Sequence, residues 1–182
     1  PMKKDPKTRQ SADHSMAYIV STLLRKALEY RIRHGGLPSG GASNDEIWKA
    51  LMLSPYDYQV SESAIFQPVT RSLMDKIEFK HGGADYDSKY PEGIPTSLVI
   101  TDAAGRSYDS GLVMFPAGHA GNSSANVDDI LAFKFNMLGS LAVPDESELR
   151  NLINSLMGIE QLSAEELRGV FDLRIASQPG YE

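Results

Sequence analysis

Met16, Ile19, Val20, Leu23, Leu24, Ala27 and Leu28 follow the i, i+3, i+4, i+7 spacing that lays one apolar stripe along a helix. The spacing predicts a single long helix over about 12–34, with Ser11 as its N-cap. Asp13 sits at the positive end of its dipole and Arg31 and Arg33 at the negative end, while Gly35-Gly36 supply a left-handed exit. Ahead of this helix, residues 1–10 carry Lys3, Lys4, Lys7, Arg9 and two prolines without an apolar face, which predicts an extended arm whose packing partner lies elsewhere. Residues 35–43, rich in glycine, read as a flexible loop.

Asn44 is the expected cap of a short helix over about 45–53 that buries Ile47, Trp48, Leu51 and Met52. Pro68 suits the first turn of a helix over about 68–76, with Leu73 and Met74 facing inward. Alternation over 77–80 predicts a strand, and 81–95 a polar loop. The β-branched and alternating runs 96–101 and 107–115 read as a hairpin turning at Gly105, followed by a loop over 116–126. Three helices then carry Ile130, Phe133, Met137 and Leu141, next Leu149, Leu152, Ile153 and Leu156, and last Leu167, Val170 and Phe171. Pro144 opens the second of these, and Ser163 with Glu166 forms a capping box for the third. The pattern predicts an α+β fold: one long helix, a mixed middle with a small, mainly antiparallel sheet and packed helices, and an all-helical tail.

Composition narrows the classes. With 182 residues and 19.9 kDa, the chain suits one domain or one and a half, and 41 % hydrophobic with 23 % charged residues exclude disordered, collagen-like and coiled-coil chains. A formal charge of −6 offers no overall field for nucleic acid or an anionic membrane. There is no cysteine, so thiolate metal sites, iron–sulfur clusters and a cysteine nucleophile drop out together. Apolar runs such as Leu98-Val99-Ile100 are far below the roughly 20 residues of a membrane helix. The chain opens Pro1-Met2 rather than on an initiator methionine, which leads us to expect a fragment or processed product.

Four clusters carry chemistry worth weighing. Arg9-Gln10-Ser11-Ala12-Asp13-His14-Ser15 gathers charge at a helix start, where Arg9 and the amide dipoles suit a carboxylate and His14 suits proton transfer; capping, with His14 bonded to a neighbouring carbonyl, is the plainer alternative. His119, flanked by glycines in Gly118-His119-Ala120-Gly121, is the second, with an ordinary turn as its alternative. His81 with Asp85 and Asp87 lacks a second imidazole at ligand spacing, so no metal is expected. The arm with Arg25, Lys26, Arg31 and Arg33 reads as a solvated face rather than an RNA surface.

Several strings resemble a known family: Thr8-Arg9-Gln10-Ser11-Ala12-Asp13-His14-Ser15-Met16-Ala17-Tyr18-Ile19; Lys76-Ile77-Glu78-Phe79-Lys80-His81-Gly82-Gly83, leading to Tyr90-Pro91-Glu92-Gly93-Ile94-Pro95-Thr96-Ser97; Phe115-Pro116-Ala117-Gly118-His119; and Lys134-Phe135. Over roughly 7–172 they resemble the C-terminal part of the MmgE/PrpD family in its fungal mitochondrial form. The family includes 2-methylcitrate dehydratases and cis-aconitate decarboxylase. The resemblance implies a lyase that removes water from 2-methylcitrate in the methylcitrate cycle of propionate catabolism, without cofactor, metal or iron–sulfur cluster. It implies a mitochondrial matrix location, a homodimer, and an α+β lid-type domain over 1–125, followed by C-terminal helices over 126–182 that return to pack on a preceding helical domain bearing most of the catalytic residues. Under it, His14 becomes a proton-transfer or orienting residue, and Arg9, Asp13 and His119 contacts of a tricarboxylate substrate. Ala120-Gly121-Asn122 stand where bacterial members have an arginine-rich run. The competing reading from a different class is a non-catalytic α+β interaction module.

Overall fold

The computed structural model describes residues 4–37 and 43–177, and the chain divides into two compact units, 1–77 with 128–182, and 78–127. The fold mixes helices with a two-stranded antiparallel sheet, which places it in the α+β class. Residues 1–77 group with the C-terminal helices in the larger unit.

In the larger unit, the expected long helix is two helices, α1 (Arg9–Asp13) and α2 (Met16–His34). Thr8, rather than Ser11, caps α1, and Ser11 serves as the reciprocal partner in its capping box. His14 leaves helical geometry, and the buried Ser15 hydroxyl accepts from Tyr18 N at 3.2 Å as the N-cap of α2. Three hydroxyl residues within eight positions each offer the backbone an alternative to continuing a helix, and the kink follows from Ser15 taking that role. It lets Ala12, Ala17 and Tyr18 converge on Ile65 and Met74 in one core cluster.

The buried face of α2 also differs from the apolar stripe. Ala17, Tyr18, Ser21, Thr22 and Arg25 are buried, whereas Met16 is 50 % exposed and Leu28 48 %. Those small and polar side chains face α4 (Pro68–Met74), the element on which α2 packs most extensively. Arg25 can be buried because its guanidinium is satisfied: Nε donates to the Thr70 hydroxyl at 3.0 Å, Nη1 to Glu29 at 2.6 Å, and Nη2 reaches Asp57 at 3.4 Å. Lys26 adds a bond to Asp57 at 2.9 Å. Asp57 in turn accepts from Ser54 N at 2.7 Å and from the Ser54 hydroxyl at 3.1 Å, which holds the 3₁₀ turn Pro55–Tyr58 against α2. The Tyr18 hydroxyl donates to the Asp57 carbonyl from the other side.

Pro68 opens α4 as expected, although the helix ends at Met74. α3 (Asn44–Leu51) is capped one residue earlier than expected, by Ser43 in a capping box with Glu46. Gly35 ends α2 with φ of +72°, the left-handed exit its sequence predicts, and residues 38–42 of the following loop lie outside the described residues. The N-terminal arm has its partner within the chain: Arg71 of α4 pairs with Asp5 and donates to the Pro6 carbonyl at 3.0 Å, over a buried Pro6. Lys3 lies outside the described residues.

The tail forms α6 (Val127–Ala142), α7 (Glu146–Met157) and α8 (Ala164–Gly169). Asp145, not Pro144, caps α7, while the Ser163–Glu166 box caps α8 as expected. Gly139 permits α6 and α7 to touch, since a Cβ there would meet Leu149 at 2.6 Å. Trp48 meets Phe133 edge-on at 6.0 Å and Lys49 pairs with Asp129, so α3 packs on α6.

The smaller unit holds α5 (Gly83–Asp87), in a segment expected to be loop, and a hairpin of β1 (Val99–Thr101) and β2 (Ser107–Asp109). The register pairs Ile100 with Tyr108, and an isolated bridge joins Thr96 to Val113, so the predicted strands shrink to three residues each. All six strand residues are exposed. The hairpin turn is set by Gly105 (φ +79°) and by Asp102, which accepts from Ala104 N, Arg106 N and Arg106 Nε at 2.8–3.0 Å. These bonds, chiefly from Arg106, hold the Asp102 carboxyl below the usual carboxylate range. Residues 77–80 form no strand.

Asp57→Ala is expected to lower unfolding stability in urea by about 3 kcal/mol, because it strands the buried Arg25 and Ser54 amide. Lys26→Ala, at the half-buried edge of the same cluster, is expected to cost about 1 kcal/mol, well below the loss at Asp57. Equal losses for the two would contradict the assignment of Asp57 as the centre of the network.

Candidate functional site

The larger unit contains a cleft of about 720 Å³. Each wall is one helix face or turn. α1 contributes Arg9, Gln10 and Asp13, which share a side because they lie three and four residues apart. α2 contributes Ile19 and Leu23, again i, i+4, from the stripe that the sequence pattern singled out. Trp48 comes from α3, and Met52, Leu53, Ser54, Pro55 and Tyr58 from the segment anchored by Asp57. α6 closes the lining with Lys134, Met137 and Leu138, one cation a turn before two apolar side chains.

The resulting surface is apolar over most of its wall and carries Arg9, Lys134 and Asp13 as its charges. Tyr58 is its most perturbed group. Burial pushes the phenol up, and the negative charge of Asp13, then Tyr18 and Asp57, adds to it, to a pKa of about 12. Tyr18, whose ring lies 6.0 Å from that of Tyr58, is raised mainly by burial as well. Tyr58 therefore stays a neutral hydrogen-bond donor across the physiological range. A mixed wall with two cations, a carboxylate and a protonated phenol suits an anionic organic ligand with an apolar portion.

The sequence-derived candidates separate here. Arg9 and Asp13 line the cleft. His14 does not: it is exposed, and its Nδ1 donates to the Gln10 carbonyl at 2.9 Å, closing the last turn of α1 as a cap. His119 lies in the smaller unit, exposed, with its ring stacked on Phe115 at 4.6 Å. Its Nδ1 accepts from Gly121 N at 2.9 Å, and Gly121 is required because a Cβ would meet the Phe115 ring at 2.9 Å. Asn122 completes that turn, donating to the Phe115 carbonyl and accepting from Ser124 N and Ala125 N. The Gly-His motif is thus accounted for by local turn geometry. His81 sits 3.6 Å from Asp87 on the exposed face of α5, and among the described residues no group of three or more His, Asp or Glu side chains gathers as a metal site.

Lys134 and Tyr58 are cleft residues that the sequence left unassigned, and Trp48, expected in a buried helix face, lines the cleft. Lys134 had one signal, its place in a string shared with the resembled family; Tyr58 had none, since it lies outside any periodic segment. No protein-family model, curated protein or solved structure matches the chain. Among the described residues no helix is long and apolar enough to cross a membrane.

The elevated Tyr58 pKa fixes a pH dependence. The neutral phenol is favoured in the folded state, so its contribution is complete below the ordinary tyrosine value of about 10 and is lost as pH rises toward about 12. Tyr58→Phe is expected to lose less stability than the parent between pH 10 and 12, read as the change in urea midpoint. A parallel decline of the two proteins would remove Tyr58 as a perturbed group.

Proposed function

We propose that the cleft binds a small polycarboxylate and that the chain is the α+β portion, with returning helices, of an MmgE/PrpD-type lyase that dehydrates 2-methylcitrate. The observation that carries this reading is the convergence of two distant motifs: Arg9 and Asp13 from the Arg-Gln-Ser-Ala-Asp-His-Ser segment and Lys134 from the Lys-Phe segment line one cleft. Both motifs belong to the strings that resemble the family. The exposed apolar side chains of the tail, among them Met157 and Phe171 at 68 % each, agree with helices that pack against further structure.

Removal of water from a 2-hydroxy tricarboxylate needs three services. Cations must hold the carboxylates and spread the enediolate-like charge that forms when a proton leaves the adjacent carbon. A base must take that proton, and an acid must protonate the departing hydroxyl so that water leaves as the carbon–carbon double bond forms. Arg9 and Lys134 supply the first service here, with Arg9 able to grip a carboxylate in two-pronged fashion. Tyr58, kept protonated in the cleft, is placed for the third. The resemblance assigns the base to the helical domain that precedes these segments in the family, and with it the homodimer and the mitochondrial setting. His14 acts in this reading as the cap of α1, which keeps Arg9 and Asp13 on the cleft side.

Calorimetric titration with 2-methylcitrate tests the binding step. Saturable binding is expected, weakened about tenfold by Arg9→Ala or Lys134→Ala, each of which removes a charge-assisted contact. His14→Ala is expected to leave the affinity within about twofold. The chain alone is expected to be inactive, so product analysis of the full-length enzyme incubated with 2-methylcitrate and with cis-aconitate separates dehydration from decarboxylation. Absence of binding, or binding indifferent to both cations, would overturn the reading.

A further inference from the structure

We infer that the same cleft binds linear medium-chain monocarboxylates, with the carboxylate on its cations and the alkyl chain along the apolar wall, as competitors for its polycarboxylate ligand. The inference rests on the cleft geometry and goes beyond the tricarboxylate reading, because a tricarboxylate makes no use of most of the wall. Ile19, Leu23, Met52, Leu53, Met137 and Leu138 arrive from three separate segments. A cleft of about 720 Å³ is in the range that encloses drug-sized ligands, well above what a compact triacid fills. The charge and the apolar strip are adjacent by construction: Lys134 precedes Met137 and Leu138 by three and four residues on one face of α6, a rise of roughly 6 Å. A ligand with a single anionic head and an unbranched tail matches that order, and the methionines among the lining adapt to tails of differing length.

Trp48, the only tryptophan, lines the cleft and reports occupancy directly. Sodium octanoate, kept below its micelle concentration, is expected to shift Trp48 emission saturably and to bind at least tenfold more tightly than butyrate. That ratio is a modest share of the roughly fourfold that each buried methylene supplies. Octanol, equal in tail but uncharged, is expected to bind at least tenfold more weakly than octanoate. Lys134→Ala should remove most of the difference between octanoate and octanol, and Met137→Asp should weaken octanoate about tenfold, with far-ultraviolet circular dichroism confirming that both variants are folded. Octanoate is also expected to raise the apparent dissociation constant of 2-methylcitrate. Equal affinities for octanoate, butyrate and octanol, or octanoate binding unchanged in both variants, would overturn the proposal. Octanoate binding without 2-methylcitrate binding would leave it standing and remove the polycarboxylate reading; the reverse result would remove this proposal alone.

Discussion

Asp57 is the residue through which the larger unit is organised. It lies in a 3₁₀ turn, yet it meets Arg25 and Lys26 of α2, both polar atoms of Ser54, and through its carbonyl the Tyr18 hydroxyl. A buried guanidinium is tolerable only when its donors are met, and Thr70, Glu29 and Asp57 meet those of Arg25 from α4, α2 and the turn. Three segments are thereby locked together beside the core cluster that Tyr18, Ile65 and Met74 form. The consequence for the cleft is direct, since Ser54, Pro55 and Tyr58, one wall of it, are carried by the turn that Asp57 anchors.

That anchoring joins stability to chemistry. Burial against α2 and the negative charge of Asp13 together hold the Tyr58 phenol protonated, so the scaffold that fixes the turn also sets the state of the cleft's proton donor. Arg9 and Asp13 reach the cleft because the backbone turns at His14 and Ser15. Had α1 and α2 been one continuous helix, residues 9 and 13 would have lain on a straight extension of α2 rather than on a wall converging with Lys134 of α6.

Local chemistry was the legible part of the sequence. The Ser163–Glu166 box, Pro68 at a helix start, Gly35 at a helix end and Gly105 in the hairpin turn all depend on neighbours within four residues. The kink at Ser15 was not legible because Thr8, Ser11 and Ser15 are all competent caps, and the choice among them is made by packing of Ala12 and Tyr18 on Ile65 and Met74. The buried face of α2 was misassigned for a similar reason. An apolar stripe marks positions that tolerate burial, but Arg25 is buried because Thr70 and Asp57, far along the chain, satisfy its guanidinium. In the cleft, Arg9 and Asp13 stood out as charges at a helix start, whereas Lys134 and Tyr58 gain meaning only from the fold. The two histidines drew notice as titratable groups, and each has a local partner that accounts for it: Gln10 for His14, and Phe115 with Gly121 for His119.

In the proposed function Arg9 and Lys134 act together on one anionic ligand, although they lie 125 residues apart along the chain. A crystal structure of the protein with bound citrate tests this most directly. The account predicts carboxylate oxygens within hydrogen-bond distance of both the Arg9 guanidinium and the Lys134 ammonium, with Tyr58 donating to the ligand. Citrate bound away from the cleft, or held in it without contact to either cation, would contradict it.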